Sequence, residues 1–383
     1  MDVIGTAIVG TGFIGPVHVE ALRRLGRRIA GVLGSSPEKS RKGCQALGIS
    51  KAYESMEDLL ADPEVQVVHV ASPNRFHFDQ CREALAAGKH VVCEKPLAMN
   101  AQQSAELFEL AQRTSVVTAV CFNIRFYPLC LEMRRRIAEG LLGTIYHVTG
   151  SYLQDWLLYE TDFNWRVLAE EGGELRTVAD IGSHWLDLAS WITGLKPEKV
   201  CVDLRTFLPF RQRRRGSVET FQSQTASRES TEMLPINTED YGSILLRFRG
   251  GANGCCTVSQ VTAGRKNCLR LEIAGTKGSM AWNSEKPEEL WIGKRDQPND
   301  CLVRDPALLS PETRSFTNYP GGHNEGFPDT FKQLFRAIYD AIEKPGSPGS
   351  WLYPTFADGH RGVAVCEAVL RSHREQAWIE ILQ

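Results

Sequence analysis

The sequence predicts an α/β fold in two parts: a doubly wound parallel sheet over residues 1–123, then a part over 124–383 of α+β type, built on an open, mainly antiparallel sheet. Three observations carry this. Between residues 4 and 122, short apolar runs alternate with helical stretches, the order of strand–helix–strand crossovers in a parallel sheet. A glycine-rich turn marks the first strand–helix junction. Beyond Pro128, strand-like stretches follow one another across short turns, which makes neighbours antiparallel. A chain of 383 residues is long enough for two cores.

Residues 4–9 read as the first strand and run into Gly10-Thr11-Gly12-Phe13-Ile14-Gly15, with a helix over about 16–25. Between strand and helix, this G-x-G-x-x-G spacing suits a dinucleotide. Gly10 permits the tight turn, Gly12 lets the backbone approach a diphosphate, and Gly15 lets helix and strand pack. Free N–H groups at the helix start favour the anion. The second strand, 29–33, ends at Gly34-Ser35-Ser36. A carboxylate there bonds the ribose hydroxyls of NAD. Ser35 and Ser36, with Lys39 and Arg41 beyond, lean instead toward NADP and leave NAD open. Ser36-Pro37-Glu38 also reads as a plain helix start.

Ser55-Met56-Glu57-Asp58 resembles a capping box before a short helix. A strand over 65–70 leads to Ala71-Ser72-Pro73-Asn74, and a helix over 76–87 stops at Gly88. Ser72, Asn74 and His77 lie where the ribose or nicotinamide of a cofactor passes. For Asn74 and His77, turn formation and an early-helix place are the equal alternative. His90-Val91-Val92-Cys93 reads as a buried strand that Pro96 ends, since proline donates nothing to a sheet ladder. Lys95 then stands at a strand's carboxyl end, where open α/β sheets bind ligands. Taken alone, Glu94-Lys95-Pro96 is also a surface pair before a turn. A helix over 101–112 and a strand over 116–122 complete the part.

In the second part a helix over 129–139 precedes strands at 145–153, 241–248, 254–261, 268–274, 279–282 and 290–292. Gly250-Gly251-Ala252-Asn253 and Gly275-Thr276-Lys277-Gly278 read as hairpin turns. Such a sheet often leaves one face free, which points to a homodimer or homotetramer. Residues 209–235, with Arg211, Arg213, Arg214 and Arg215, read as a solvated polar loop. An amphipathic helix over 329–342, a loop at Pro345-Gly346-Ser347-Pro348-Gly349, a helix over 355–376 and a strand over 378–381 close the chain.

Asp180 opens a helix that runs to Gly194 and stands four residues before His184, so the two share a helical face. Histidine takes a hydroxyl proton near neutral pH, a carboxylate orients it, and a lysine ammonium stabilises alkoxide charge. An N-capping Asp180 and a core His184 are the alternative.

Composition excludes other classes. The net charge of −2 gives no global attraction to nucleic acid or an anionic membrane. No apolar run approaches the roughly 20 residues of a bilayer span. The start of the chain has no basic region before its first strand, so a cytoplasmic protein is expected. Eleven cysteines are scattered without C-x-x-C or zinc spacing. They read as reduced core residues, and no metal site is expected.

The motifs occur in order: G-x-G-x-x-G, Ala-Ser-Pro-Asn-x-x-His over 71–77, Glu-Lys-Pro at 94–96 and Asp-x-Gly-x-His-x-x-Asp over 180–187. Together they resemble the glucose–fructose oxidoreductase/inositol dehydrogenase/rhizopine catabolism (Gfo/Idh/MocA) family over most of the chain. The resemblance implies an N-terminal Rossmann domain and a C-terminal α/β domain whose open sheet mediates oligomerisation. It implies catalytic roles for Lys95, Asp180 and His184, and puts Glu94, Pro96, Trp165 and Arg166 near the cofactor. The reaction it suggests is NAD(P)-dependent interconversion of a hydroxyl and a ketone on a sugar, polyol or glycoside. Asp155, Trp156 and, in a glycine-rich loop, His323 are candidate sugar contacts, since aromatic faces beside polar groups suit sugars. Structural packing is the equal alternative for all three. Two other readings stay open: a glycosidase or lyase that retains NAD(P) for transient oxidation, and a non-catalytic sensor of NAD(P) and sugar.

Overall fold

The computed structural model describes residues 4–214, 231–346, 349 and 352–382; the expectations for Arg215, for the middle of 209–235 and for Ser347-Pro348 fall outside them. The chain forms two compact units, Met1–Asn123 with Pro328–Val363, and Ile124–Phe327 with Ala364–Gln383.

In the first unit, β1 (Gly5–Val9), β2 (Arg28–Leu33), β3 (Val67–Val70), β4 (His90–Cys93) and β5 (Thr118–Val120) form a parallel sheet in the order β2-β1-β3-β4-β5. Between them run α1 (Ile14–Arg24), α2 (Pro37–Leu47), α3 (Met56–Ala61), α4 (His77–Ala86) and α5 (Ala101–Gln112). β3 is buried along its whole length, and β4 all but its first residue, which is why they read as continuous apolar runs rather than alternating ones. Ser36, Ser55 and Asn100 cap α2, α3 and α5, each accepting from the backbone N–H three residues on. The strand order reverses between β1 and β3, so their carboxyl ends flank the switch point of the sheet, the usual ligand crevice of such folds.

Beyond a boundary at 123/124, the first unit also takes in Pro328–Val363, which includes the start of the helix Phe356–Glu375. The helix Phe327–Glu343 belongs almost wholly to the first unit. Its buried Phe331, Phe335 and Tyr339 repeat every four residues as one apolar stripe. Phe335 sets its ring 4.8 Å from His18 of α1 and 4.7 Å from His69 of β3.

The second unit contains α6 (Pro128–Ala138), β6 (Ile145–Leu153), α7 (Ala169–Gly172), α8 (Ser183–Thr193), β7 (Pro197–Arg205), β8 (Phe210–Arg214), β9 (Thr231–Pro235), β10 (Tyr241–Phe248), β11 (Asn253–Ser259), β12 (Cys268–Gly275), β13 (Ser279–Asn283), β14 (Glu289–Gly293), β15 (Asp300–Val303) and α9 (Pro311–Arg314). The helix Phe327–Glu343 is α10; α11 (Phe356–Glu375) and β16 (Ile379–Glu380) follow it. Nine strands make one sheet, β15-β14-β13-β12-β6-β11-β10-β7-β16, parallel at β6/β11 and antiparallel elsewhere. Burial alternates along β10, β12 and β14, so one face lies in the core and the other, bearing Leu245, Arg270 and Trp291, faces outward.

The solvated loop expected over 209–235 is corrected where the chain is described. β8 and β9 pair as an antiparallel ribbon, and Arg211 is fully buried. Its guanidinium donates to the carbonyls of Leu157, Tyr159 and Asp162 and to the Asp240 carboxylate, a match that a local reading of basic residues does not reveal.

Candidate active site

The glycine turn has the stereochemistry its spacing suggests. Gly10 has φ +113°, and a Cβ there would stand 2.3 Å from the Ala71 carbonyl oxygen. A Cβ on Gly15 would meet the Gly10 carbonyl oxygen at 2.2 Å, so α1 packs on the turn only because that atom is missing. Gly12 is exposed and a Cβ there would meet nothing within 4 Å: beside it lies open space for a phosphate group. Thr11, Phe13 and Ile14 complete the turn, and the first turn of α1 carries no acidic residue to oppose an anion. These features fit a dinucleotide. At the end of β2, Ser35 is exposed and Ser36 is the helix cap already described. Lys39 and Arg41 are exposed beyond it.

At the ends of β3 and β4, Ser72 donates to Gln80 at 2.6 Å, and Asn74 begins a 3₁₀ turn. His77 is fully buried, with ring nitrogens 2.8 Å from the Pro96 carbonyl and 2.9 Å from the Ser72 carbonyl. Burial lowers its pKa, against the two carbonyl contacts, which favour the protonated ring. The imidazole ties together the loops that end β3 and β4 instead of lining an open cleft. Glu94 is buried, Lys95 and Pro96 are half-buried, and the Lys95–Pro96 peptide is cis. The Glu94 carboxylate accepts the Lys95 backbone N–H at 3.2 Å.

In the second unit, Asp180 is not an N-cap. It lies inside a π-helical turn, Val178–Gly182, that continues directly into α8, and its N–H donates to the Arg176 carbonyl at 2.7 Å. Inserted π turns recur at functional sites. Gln260 donates to Asp180 Oδ2 at 2.7 Å, and Arg166 Nε stands 3.4 Å from Oδ1. Arg166 sits in a 3₁₀ turn opened by Asn164 and lies 4.4 Å over the Trp165 ring. The structure thus brings Arg166 to Asp180, with the Trp165 ring against its guanidinium. His184, on the second residue of α8, is 8% exposed and faces the Tyr152 ring with centroids 6.4 Å apart. Asp187, the last residue of the motif, takes a two-pronged ion pair from Arg125.

A polar string follows Tyr152. Its hydroxyl donates to Asn267 at 2.7 Å, Gln154 donates to the same oxygen at 2.8 Å, and Trp156 donates to Gln154 at 2.9 Å. Asp155 is held by Lys266 at 2.8 Å and by the Gly264 N–H at 3.0 Å. His323 is on an exposed turn, its Nδ1 3.4 Å from its own Gly321 carbonyl. Gln260 and Asn267 escaped the sequence reading. The only trace of Gln260 is a glutamine at the end of an otherwise apolar-alternating strand.

A family model described as "Oxidoreductase family, NAD-binding Rossmann fold" matches residues 4–122, and one described as "GFO/IDH/MocA C-terminal domain" matches residues 130–281. Levoglucosan dehydrogenase of Pseudarthrobacter phenanthrenivorans is 26% identical over 100% of this chain and 99% of its own length. A solved levoglucosan dehydrogenase in complex with NADH and L-sorbose superposes with a TM-score of 0.88 at 26% identity, covering 100% of both chains. The 1,5-anhydro-D-fructose reductase of Ensifer adhaerens is 33% identical over 47% of this chain and 53% of its own.

Proposed function

The chain belongs to the Gfo/Idh/MocA oxidoreductase family, and on that premise we propose that it interconverts a hydroxyl and a ketone on a sugar, polyol or sugar anhydride. The carrying observation is Asp180, oriented through both carboxylate oxygens by Gln260 and Arg166, four residues before His184. A nicotinamide dinucleotide, when bound, supplies the hydride acceptor or donor. The glycine turn would hold its diphosphate, and Ser35 and Ser36, with the exposed Lys39 and Arg41 beyond, lean toward the 2′-phosphate of NADP and leave NAD open. In the oxidation direction His184 takes the hydroxyl proton. The Lys95 ammonium stabilises the oxygen as charge develops, and Asp180 stabilises the imidazolium that results. The string Tyr152–Asn267–Gln154–Trp156, with Asp155 beside it, offers a ring face and fixed hydrogen-bonding groups to a sugar.

Two relatives are named levoglucosan dehydrogenase and 1,5-anhydro-D-fructose reductase, so levoglucosan and 1,5-anhydro-D-fructose are the first compounds to screen. The outward sheet face, with Leu245 and Trp291 exposed, is the surface we assign to a homodimer or homotetramer. The eleven free cysteines accord with a reducing, cytoplasmic setting.

The test has two steps. Nucleotide released on denaturing fresh protein is identified by mass spectrometry, then anhydro sugars, hexoses and polyols are screened with NAD and NADP by absorbance of the reduced cofactor. Substrate-dependent reduction of added cofactor supports the reading. Glycoside cleavage without net reduction, over a stoichiometric retained nucleotide, would replace it with the transient-oxidation chemistry.

A further inference from the structure

Behind Glu94 the first unit carries a chain of buried polar groups that the chemistry above does not use. Thr6 of β1, His18 of α1, His69 of β3 and Tyr339 of α10 are all fully buried. His18 Nε2 lies 3.1 Å from Glu94 Oε1, and His18 Nδ1 lies 3.0 Å from His69 Nδ1. His69 Nε2 lies 3.2 Å from the Tyr339 hydroxyl, which in turn bonds the Thr6 hydroxyl. The second Glu94 oxygen takes the Lys95 N–H.

The chemistry of the links fixes their direction. Two neutral imidazoles meeting through Nδ1 bond only if one carries its proton there and the other carries it on Nε2. Burial holds His69 neutral and the Tyr339 phenol protonated. With Glu94 ionised, and so accepting only, a neutral His18 would carry its proton on Nε2 and present a bare Nδ1. His18 Nδ1 then accepts from His69 Nδ1–H. His69 Nε2 accepts from Tyr339 O–H, and the Tyr339 oxygen accepts from Thr6. Every donor points toward Glu94. Reversing the chain requires a proton on both His18 nitrogens or on Glu94.

We propose that His18, His69 and Tyr339 are positioning residues: a one-way hydrogen-bond chain that holds Glu94 as an oriented carboxylate and, through it, the backbone at Lys95. This rests on the reading of Lys95 as a catalytic residue. The chain takes no part in proton transfer to substrate; its work is geometric, and displacement of a reacting group by an ångström costs about a hundredfold in rate. The ligand atoms of His18, Glu94 and Cys121 also lie within 4.8 Å of one another. A metal there would need a Cys121 thiolate, and in the metal-free protein burial and the Glu94 carboxylate oppose that ionisation. It would also strip the proton from His18 Nε2.

The direct test uses the full chain labelled with ¹⁵N-histidine. Long-range ¹H–¹⁵N spectra near neutral pH should show His18 protonated on Nε2 alone and His69 on Nδ1 alone, with the His69 Nε2 signal moving in Tyr339→Phe. His69 protonated on Nε2, a doubly protonated His18, or stoichiometric metal in the purified protein by elemental analysis would overturn the proposal. In turnover assays His18→Gln should lower kcat about 10- to 100-fold. Tyr339→Phe, which keeps the ring and so the packing, should lower it less. In both, KM and the dinucleotide Kd should stay within about threefold, whereas a packing role alone would lower Tm and spare the kcat of the folded protein. Lys95→Ala separates the two ideas. If it stays active, the reading of the site fails while the tautomers still stand. If it is inactive and His18→Gln keeps full kcat, the positioning proposal fails alone.

Discussion

Gln260 reaches across 80 residues of sequence to donate to Asp180 at 2.7 Å, and it is fully buried where it does so. Replacing it with leucine keeps the volume and removes the donor. Asp180 would keep Arg166 but lose its orientation. We expect kcat/KM to fall about tenfold, the worth of one charge-assisted hydrogen bond of roughly 1.5 kcal/mol. Steady-state rates on whichever sugar the screen finds will check this; an unchanged rate would mean that Asp180 does not need Gln260.

Lys95→Ala should cost about 10² to 10³ in kcat, the usual range for losing one group that stabilises developing negative charge. Dinucleotide affinity, measured calorimetrically, should change little. Lys95→Arg retains charge but not the compact ammonium, so partial recovery at best is expected.

The glycines of the turn divide by mechanism. Gly12→Ala has room for its methyl and should fold with a Tm close to that of the parent, yet bind dinucleotide at least about tenfold more weakly, because the methyl occupies space beside the phosphates. Gly15→Ala drives a methyl into the Gly10 carbonyl and should lose stability first. Thermal melts with and without cofactor distinguish the two; equal Tm losses in both variants would refute the division.

Acid stability has one well-defined contributor in the first unit. The Lys51 ammonium, then the Tyr53 hydroxyl, each 2.7 Å from the Asp62 carboxylate, bring its pKa down to about 2. Because the folded value lies below the unfolded one of about 3.9, this contribution is complete above roughly pH 4 and is lost as the pH falls toward 2. Lys51 is half exposed, so about 1–2 kcal/mol is expected rather than the full shift. Urea unfolding of Asp62→Asn should differ from the parent by that amount at pH 7, with the gap narrowing below pH 4. A gap that is constant from pH 7 to 3 would assign the loss to packing.

The parallel sheet was legible because its strands are largely buried on both faces and because α2, α3 and α5 start at side-chain caps. β4 and α5 fall on the residues their sequence indicates, 90–93 and 101–112. β7 was missed although its buried Val200, Val202 and Leu204 alternate with Lys199, Cys201, Asp203 and Arg205, the period-2 pattern of a half-buried strand, because the apolar residues form no continuous run. Local motifs marked Asp180 and His184, but the π turn and the partners Gln260 and Arg166 depend on backbone geometry and distant contacts that no spacing encodes. Arg211 shows the same limit from the other side: within its own segment it is one of several arginines, and only Asp240 and three carbonyls make it a core residue.

The return of α10 to the first unit has a bearing on biosynthesis. The ribosome finishes β5 early, then must translate all of Ile124–Phe327 before the residues that cover His18 and His69 emerge. Until then the nascent sheet waits with an apolar flank bare, a species prone to aggregation and suited to chaperone capture. A fragment cut after residue 123 would keep the glycine turn and Lys95 yet lack Tyr339 and the stripe around it, so cofactor binding by such a fragment would not be inherited from the presence of its motifs.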